Sequence, residues 1–281
     1  MNNVLILGAG YVGTALSHAL TNSNIKCHLR ARKDLNYTDE ADLDRYIRNN
    51  NINYVVNSFG FTGRPNVDEG EAKKKECWEL NVASPLRVSN VCKRLNVNYI
   101  HISSGCIFSG YEKAFSEKDE PNFGLFDKSS FYSKTKHAFE TLNDYGCTIR
   151  VRMPFSDTLS ERSYLTKILK YNNLIDFKNS KTYVNDLCNF IHYIVINSIK
   201  ASSIGIINFV NPGALNTSDV TEILTAYNFT NKNWKFVDVK TLNLAAPRSN
   251  CVLSMDKFKN MFPDFYIQTE REALAKALAS C

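Results

Sequence analysis

Tyr132 and Lys136 stand four residues apart in Tyr132-Ser133-Lys134-Thr135-Lys136, so a helix there puts a phenol and an amine on one face. A cationic lysine and a positively charged nicotinamide nearby would favour the phenolate, which predicts a lowered phenol pKa and a proton donor or acceptor near neutral pH. Ser104, just past a β-rich run over 99–103, adds a hydroxyl able to polarise the same carbonyl. Far upstream, Gly8-Ala9-Gly10-Tyr11-Val12-Gly13 closes one apolar run and opens a helical pattern. In that context glycines let backbone N–H groups and a helix N-terminus approach a pyrophosphate. Gly8, Gly10, Tyr11, Val12 and Gly13 are expected to hold a dinucleotide, with Tyr132 and Lys136 at its reactive end.

The end of the second strand decides which dinucleotide. A site for NAD usually carries a carboxylate there for the ribose hydroxyls; this chain has Arg30, Arg32 and Lys33. Guanidinium groups pair a phosphate that a carboxylate would repel, so NADPH is the expected cofactor, with NADH the alternative. Asp39 is open to two readings, an adenine-side contact or the N-cap of the next helix.

These residues need a frame that carries them to one edge. Val4 to Leu7, Lys26 to Leu29, Tyr54 to Asn57, Tyr99 to Ser103 and Thr148 to Arg152 are β-rich. Between them lie helical patterns at Tyr11 to Leu20, Ala41 to Asn49, Lys73 to Leu95 and Ser130 to Tyr145. The alternation predicts an α/β fold, a doubly wound parallel sheet that binds ligands at the carboxyl ends of its strands. Residues 1–153 form the expected dinucleotide-binding Rossmann core. Residues 154–281 are mainly a smaller C-terminal substrate lobe with some segments returning to the core; it has helices near Tyr164 to Tyr171, Asn185 to Ile199, Ser218 to Tyr227 and Glu270 to Ala279, and a strand at Ile206 to Val210.

Composition narrows the class. The eight cysteines lack Cys-x-x-Cys or metal-ligand spacing, which predicts reduced thiols and no metal site. No basic-then-apolar leader and no apolar run of membrane-spanning length is present, so a cytoplasmic, membrane-free protein is expected. The formal charge of +6 suits an enzyme of anionic nucleotides as well as a nucleic-acid binder. Lys73-Lys74-Lys75, among Glu71, Glu76 and Glu79, is read as a solvated helix face, and no nucleic-acid partner is expected.

With these motifs in order the chain resembles the extended short-chain dehydrogenase/reductases. Within them it is most similar to bifunctional nucleotide-rhamnose synthases (UDP-4-keto-6-deoxyglucose 3,5-epimerase/4-reductases), relatives of dTDP-4-dehydrorhamnose reductase. The resemblance runs from the glycine loop to about Asn250. It rests on Thr62-Gly63-Arg64-Pro65-Asn66-Val67-Asp68, Gly105-Cys106-Ile107-Phe108, Pro121-Asn122-Phe123, Ser130 to Lys136, Arg150-Val151-Arg152-Met153-Pro154, Asn211-Pro212-Gly213 and Arg248-Ser249-Asn250. It implies a catalytic triad of Ser104, Tyr132 and Lys136, and an acid/base pair of Cys106 and Lys167 for epimerisation. Each of that pair also has a plain structural reading, Cys106 as a small buried residue and Lys167 as a helix-surface lysine. Arg64, Asn66 and Asp68 fall at the ligand edge after the third strand, as substrate contacts. Arg248 looks like a diphosphate clamp, with a surface-loop arginine as the alternative. Asn179 lies in a stretch, Asn179 to Tyr183, that resembles the family's substrate-lobe loop.

Three departures stand out. The family's glycine spacing would need a glycine at Leu7, Lys181 stands where an apolar residue is common, and the loop from Phe108 to Pro121 is short. The Lys181 departure bears on which sugar is bound. The resemblance implies a nucleotide-sugar substrate, an upstream sugar-nucleotide 4,6-dehydratase as functional partner, and a homodimer through the helices of residues 73–95 and 130–145. Two other readings remain: a 4-reductase alone, acting on a dTDP- or UDP-4-keto-rhamnose, and a non-catalytic regulatory subunit with a reductase-like fold.

Overall fold

Val4-Leu5-Ile6-Leu7 holds no polar residue, a pattern that suits a strand covered on both faces. In the computed structural model, which describes residues 2–124 and 128–280, Val4 and Ile6 enter one apolar cluster and Leu5 and Leu7 another. The first half of the chain forms β1 (Asn3–Leu7), α1 (Tyr11–Asn22), β2 (Lys26–Arg30), α2 (Glu40–Asn49), β3 (Tyr54–Asn57), α3 (Glu69–Ala72) and α4 (Lys74–Trp78). After a π-helical turn at Glu79–Ala83 come α5 (Ser84–Leu95), β4 (Asn98–Ser104), β5 (Gly110–Phe115), α6 (Phe131–Leu142) and β6 (Cys147–Val151). The rest forms α7 (Tyr164–Lys170), β7 (Asn173–Leu174), α8 (Val184–Ile196), α9 (Ala201–Ile204), β8 (Ile206–Asn208), α10 (Thr217–Ala226), β9 (Lys235–Phe236), β10 (Cys251–Leu253), α11 (Asp256–Met261) and α12 (Glu270–Ser280).

A parallel sheet in the order β2-β1-β3-β4-β6-β8 carries the fold. Leu16 and Leu20 of α1, Leu187 to Ile194 of α8 and Phe258 of α11 cover one face; Leu43 of α2, Val88 and Val91 of α5 and Phe139 of α6 cover the other. Chain after residue 153 thus supplies a strand and two covering helices to the core. A third cluster, built from Phe155, Leu165, Tyr183, Val220, Leu224, Leu274 and Leu278, joins α7, α10 and α12 in a lobe of their own. Among the described residues no helix is long and apolar enough to cross a membrane, and no group of three His, Cys, Asp or Glu side chains is placed to hold a metal. The seven described cysteines are free thiols; Cys281 lies outside the described residues.

The helix expected over 73–95 is broken. Pro85 has no N–H to donate to the carbonyl of Asn81, and the chain widens into the π-turn at that point. The short connection after Phe108 holds β5, whose polar, exposed sequence gave no strand pattern; it pairs in parallel with β10 and brings 249–253 against the end of β4. Lys73 is tied to Glu69 at 2.7 Å on an exposed face, as a solvated run would be.

Candidate active site

The glycine loop is shaped for close approach. Gly8 has φ +102°, and a side chain there would meet the Phe59 backbone at 2.7 Å. A side chain at Gly13 would meet the Gly8 carbonyl oxygen at 2.0 Å, whereas nothing lies within 4 Å of the corresponding position at Gly10. The turn therefore takes its positive φ at Gly8, and Leu7 stays in the strand as a buried residue, which explains the missing glycine there. Gly10 leaves open space at the start of α1, where unpaired N–H groups attract phosphate. Val12 packs on the core, and the Tyr11 hydroxyl donates to Ser156 Oγ at 2.8 Å.

Arg30 lies over the Tyr46 ring, 5.4 Å from its centroid, and Arg32 and Lys33 are exposed beyond it. A backbone cradle with cations beyond β2 fits a dinucleotide phosphate. Asp39 does not join them: its Oδ1 accepts from the N–H groups of Ala41 and Asp42 at 2.9 and 3.1 Å, so its carboxylate serves as the N-cap of α2.

Ser130 starts α6, its Oγ accepting from Ser133 N–H at 3.1 Å. Tyr132 and Lys136 follow on the buried face, with the amine 5.8 Å from the phenol ring centroid. Ser104, the last residue of β4, hydrogen-bonds the Tyr132 phenol and accepts from the Cys106 N–H at 3.2 Å. Ser104, Tyr132 and Lys136 stand together, and the downward shift expected for the phenol, which included the charge of a nicotinamide, is opposed here by burial. Burial pushes the Tyr132 pKa up, and the neighbouring Cys106 adds to it, while the Ser104 hydrogen bond and Arg152 pull the other way. Such a phenol stays protonated, the form a proton donor needs. Burial also pushes the Lys136 amine down to about 8, against the pull of Cys77, Glu140 and Cys106.

A pH profile should report that lysine. Below about pH 8 Lys136 is charged and above it neutral. If it holds the cofactor ribose, turnover is level below pH 7 and falls about tenfold per unit well above 8; Lys136→Met should lack this limb. Stability moves oppositely: between pH 8 and 10.5 the unfolded chain keeps a proton that the folded one has released, so this group's cost falls as pH rises.

Cys106 is half-buried on the loop after β4, and Lys167 is half-buried on α7. Burial pushes the Lys167 amine down, helped by Arg162 and Arg248, and Cys106 opposes this, so the thiol and the amine act on one another electrostatically.

The expected substrate contacts fare unevenly. Arg64 has an exposed side chain. Asn66 Oδ1 accepts from the Asp68 N–H at 2.9 Å, shaping the loop. Asp68 and Arg248, expected as separate contacts, meet each other: both guanidinium N–H groups donate to both carboxylate oxygens at 2.8 Å. Arg248 holds the Asp68 carboxyl below the usual range. The pair closes a clasp between segments 180 residues apart in sequence, and a diphosphate would have to compete with Asp68 for Arg248.

Asn179 is not a free contact either. It is buried, its Oδ1 accepting from Arg152 at 2.6 Å and from the Cys251 N–H at 3.0 Å, its Nδ2 donating to Asn250 at 2.9 Å. Lys181 is buried, pairing with Glu270 of α12 at 2.6 Å and donating to the carbonyls of Asn179 and Leu215. The apolar-to-lysine departure is thus a structural ion pair and carries no information about the sugar.

Three residues with no role assigned from sequence complete the site. Asn81, placed by the π-turn, accepts from Phe61 N–H at 2.8 Å and donates to Thr135 Oγ1 at 3.0 Å, locking the loop after β3 to the start of α6. Arg162 donates to Thr62 Oγ1 at 2.9 Å and to the Gly63 carbonyl, fastening the start of the C-terminal lobe to the Thr62–Asp68 loop. Arg152 donates to Gly105 O at 3.1 Å, to Ser249 Oγ at 2.9 Å and to Cys106 Sγ at 3.6 Å. The motif holding Arg152 was visible in the sequence; its neighbours were not.

Comparison with known proteins gives the family. The family model described as the RmlD substrate binding domain matches residues 1–281. A bifunctional dTDP-4-dehydrorhamnose 3,5-epimerase/dTDP-4-dehydrorhamnose reductase of Arabidopsis thaliana is 37% identical over 237 residues, 79% of this chain and 75% of that protein. A trifunctional UDP-glucose 4,6-dehydratase/UDP-4-keto-6-deoxy-D-glucose 3,5-epimerase/UDP-4-keto-L-rhamnose-reductase of the same plant is 36% identical over 240 residues, but this chain matches only 35% of its length. The crystal structure of the L780 UDP-rhamnose synthase of Acanthamoeba polyphaga mimivirus shares the fold, with a TM-score of 0.88 at 24% identity and 100% of both chains covered. The chain belongs to the RmlD substrate-binding domain family, within the extended short-chain dehydrogenase/reductases.

Proposed function

We propose that this chain is an NADPH-dependent oxidoreductase that converts UDP-4-keto-6-deoxyglucose to UDP-L-rhamnose by inverting carbons 3 and 5 and reducing carbon 4. The observation that carries the reading is the convergence of two sets of groups. Tyr132 and Ser104 form a carbonyl-binding pair, and Cys106 adjoins it, its N–H donating to Ser104 Oγ at 3.2 Å, with its thiol acting on the Tyr132 phenol and on the Lys167 amine. A simple reductase needs only the first set. Family membership supports the 4-reduction, and relatives named for both UDP and dTDP sugars make the choice of UDP part of the proposal.

The ketone oxygen lies between Tyr132 and Ser104, whose hydrogen bonds strengthen as negative charge builds on it. That charge arises twice. When Cys106 or Lys167 takes a proton from carbon 3 or 5, the C–H electron pair moves into the enolate; the opposite group returns a proton to the other face and inverts the carbon. The Gly8–Gly13 turn, Arg30, Arg32 and Lys136 would hold NADPH, whose chemistry when bound would be to supply hydride to carbon 4. Tyr132 then gives its proton to the oxygen, and Lys136 keeps the local charge positive while it does so.

The ketone must come from a 4,6-dehydratase acting on the nucleotide sugar, which is the upstream partner of this proposal. The homodimer remains part of it, supported by Trp78 and Leu142, 44% and 59% exposed on the expected interface helices. The test is to supply the pure protein with UDP-4-keto-6-deoxyglucose and NADPH and identify the product. UDP-L-rhamnose with one NADPH consumed is expected; an untouched keto sugar, or a product reduced without inversion, contradicts the reading.

A further inference from the structure

Two arginines leave the end of β6 and are buried, and their surroundings differ in one respect. Arg150 is held by Glu140, with Nε and Nη2 donating to one carboxylate oxygen at 2.9 and 2.7 Å. Arg152, 1% exposed, has no carboxylate at ion-pairing distance among the described residues. Its partners are the Gly105 and Ser249 carbonyls, Ser249 Oγ, Asn179 Oδ1 and the sulfur of Cys106, and its Nε has no partner. A charge taken out of water without a counter-ion is costly, and such charges are normally paired. Of these direct partners only Cys106 can become an anion, and Cys251, Tyr111 and Tyr132 also act on the guanidinium without a hydrogen bond to it.

We propose that Arg152 is a positioning residue for epimerisation: it fixes the Cys106 sulfur and carries the negative charge of its thiolate. This rests on the reading of Cys106 as an acid/base group. In that chemistry the thiolate occurs whichever way the proton moves. As a base the sulfur takes H+ from the sugar carbon, whose C–H pair becomes the enolate double bond; as an acid it gives H+ to that carbon and is left as thiolate. Arg152 faces the charge in both cases, and Lys167, the other group, exchanges between ammonium and amine. Asn179 and Ser249 hold the guanidinium fork in place. A carboxylate in this shell would satisfy Arg152 and take its charge from the sulfur.

Asn179→Asp makes that change while keeping the arginine, and Arg152→Gln removes the charge; Arg152→Lys restores it without the fork. The readouts are peptide-mapped alkylation of Cys106 by iodoacetamide across pH 6–9, and deuterium incorporation into the keto sugar from heavy water, with NADPH binding as the check on folding. Asn179→Asp and Arg152→Gln are both expected to slow alkylation near pH 7 and exchange by about 10²–10³-fold, and Arg152→Lys to recover part of what Arg152→Gln loses. Wild-type alkylation in a variant that still binds NADPH overturns the proposal. Slowed alkylation with no deuterium exchange in the wild type supports the Arg152–Cys106 pairing and contradicts only the epimerase reading.

Discussion

Tyr132→Phe is expected to lower the rate of 4-ketone reduction by about 10²–10⁴-fold, the usual worth of a positioned general acid, while NADPH binding changes little. The phenol is buried, hydrogen-bonded to Ser104 and raised in pKa, so it is poised to hold a proton until the ketone oxygen takes it. Phenylalanine keeps the ring that packs beside Lys136 and removes only the hydroxyl. Stopped-flow loss of NADPH absorbance, with cofactor titrated separately by fluorescence, checks this. A variant that reduces the ketone at the wild-type rate would remove Tyr132 from the mechanism.

Lys181→Met is expected to destabilise the fold by about 3–5 kcal/mol, because it leaves Glu270 buried and unpaired. Lys181 and Glu270 are 1% and 0% exposed, and Glu270 Oε2 already lacks a partner. The double variant Lys181→Met with Glu270→Leu should be neutral or more stable than wild type by about 1–4 kcal/mol. The pH dependence has a definite sign. Burial pushes the Glu270 carboxyl up to about 7 even beside Lys181, and removing the lysine raises it further. A carboxyl raised in the folded state favours folding below its unfolded pKa and loses that advantage as pH rises through the folded one. The deficit of Lys181→Met should therefore shrink between pH 7.5 and 5.5. Urea unfolding of the single and double variants at both pH values measures it; equal losses in both variants would show that the pair is not the cause.

The sheet was legible because β-rich runs alternate with helical patterns, and Val4 to Leu7 is apolar on both faces and so belongs at its centre. The glycine turn and the Tyr132/Lys136 pair were legible because their spacing is local. What depends on distant partners was not. Asp68 and Arg248 each look like ligand contacts until their 2.8 Å pairing is seen. Lys181 reads as a departure until Glu270, 89 residues away, appears beside it. Asn179 and Arg152 lie in recognisable motifs, yet the reason for each is the other. The break at Glu79–Ala83 follows from Pro85, but its use, delivering Asn81 to Phe61 and Thr135, belongs to the tertiary fold.

One site doing two chemistries is the central claim, and solvent deuterium separates them. The pure protein is incubated with UDP-4-keto-6-deoxyglucose and NADPH in heavy water, and the product is analysed carbon by carbon. The account predicts deuterium at carbons 3 and 5, hydride-derived protium at carbon 4 and the L-rhamnose configuration, with Cys106→Ala losing label at one or both inverted carbons. Full NADPH consumption with no deuterium at carbons 3 and 5 would contradict it and leave Cys106 and Lys167 without a role in the reaction.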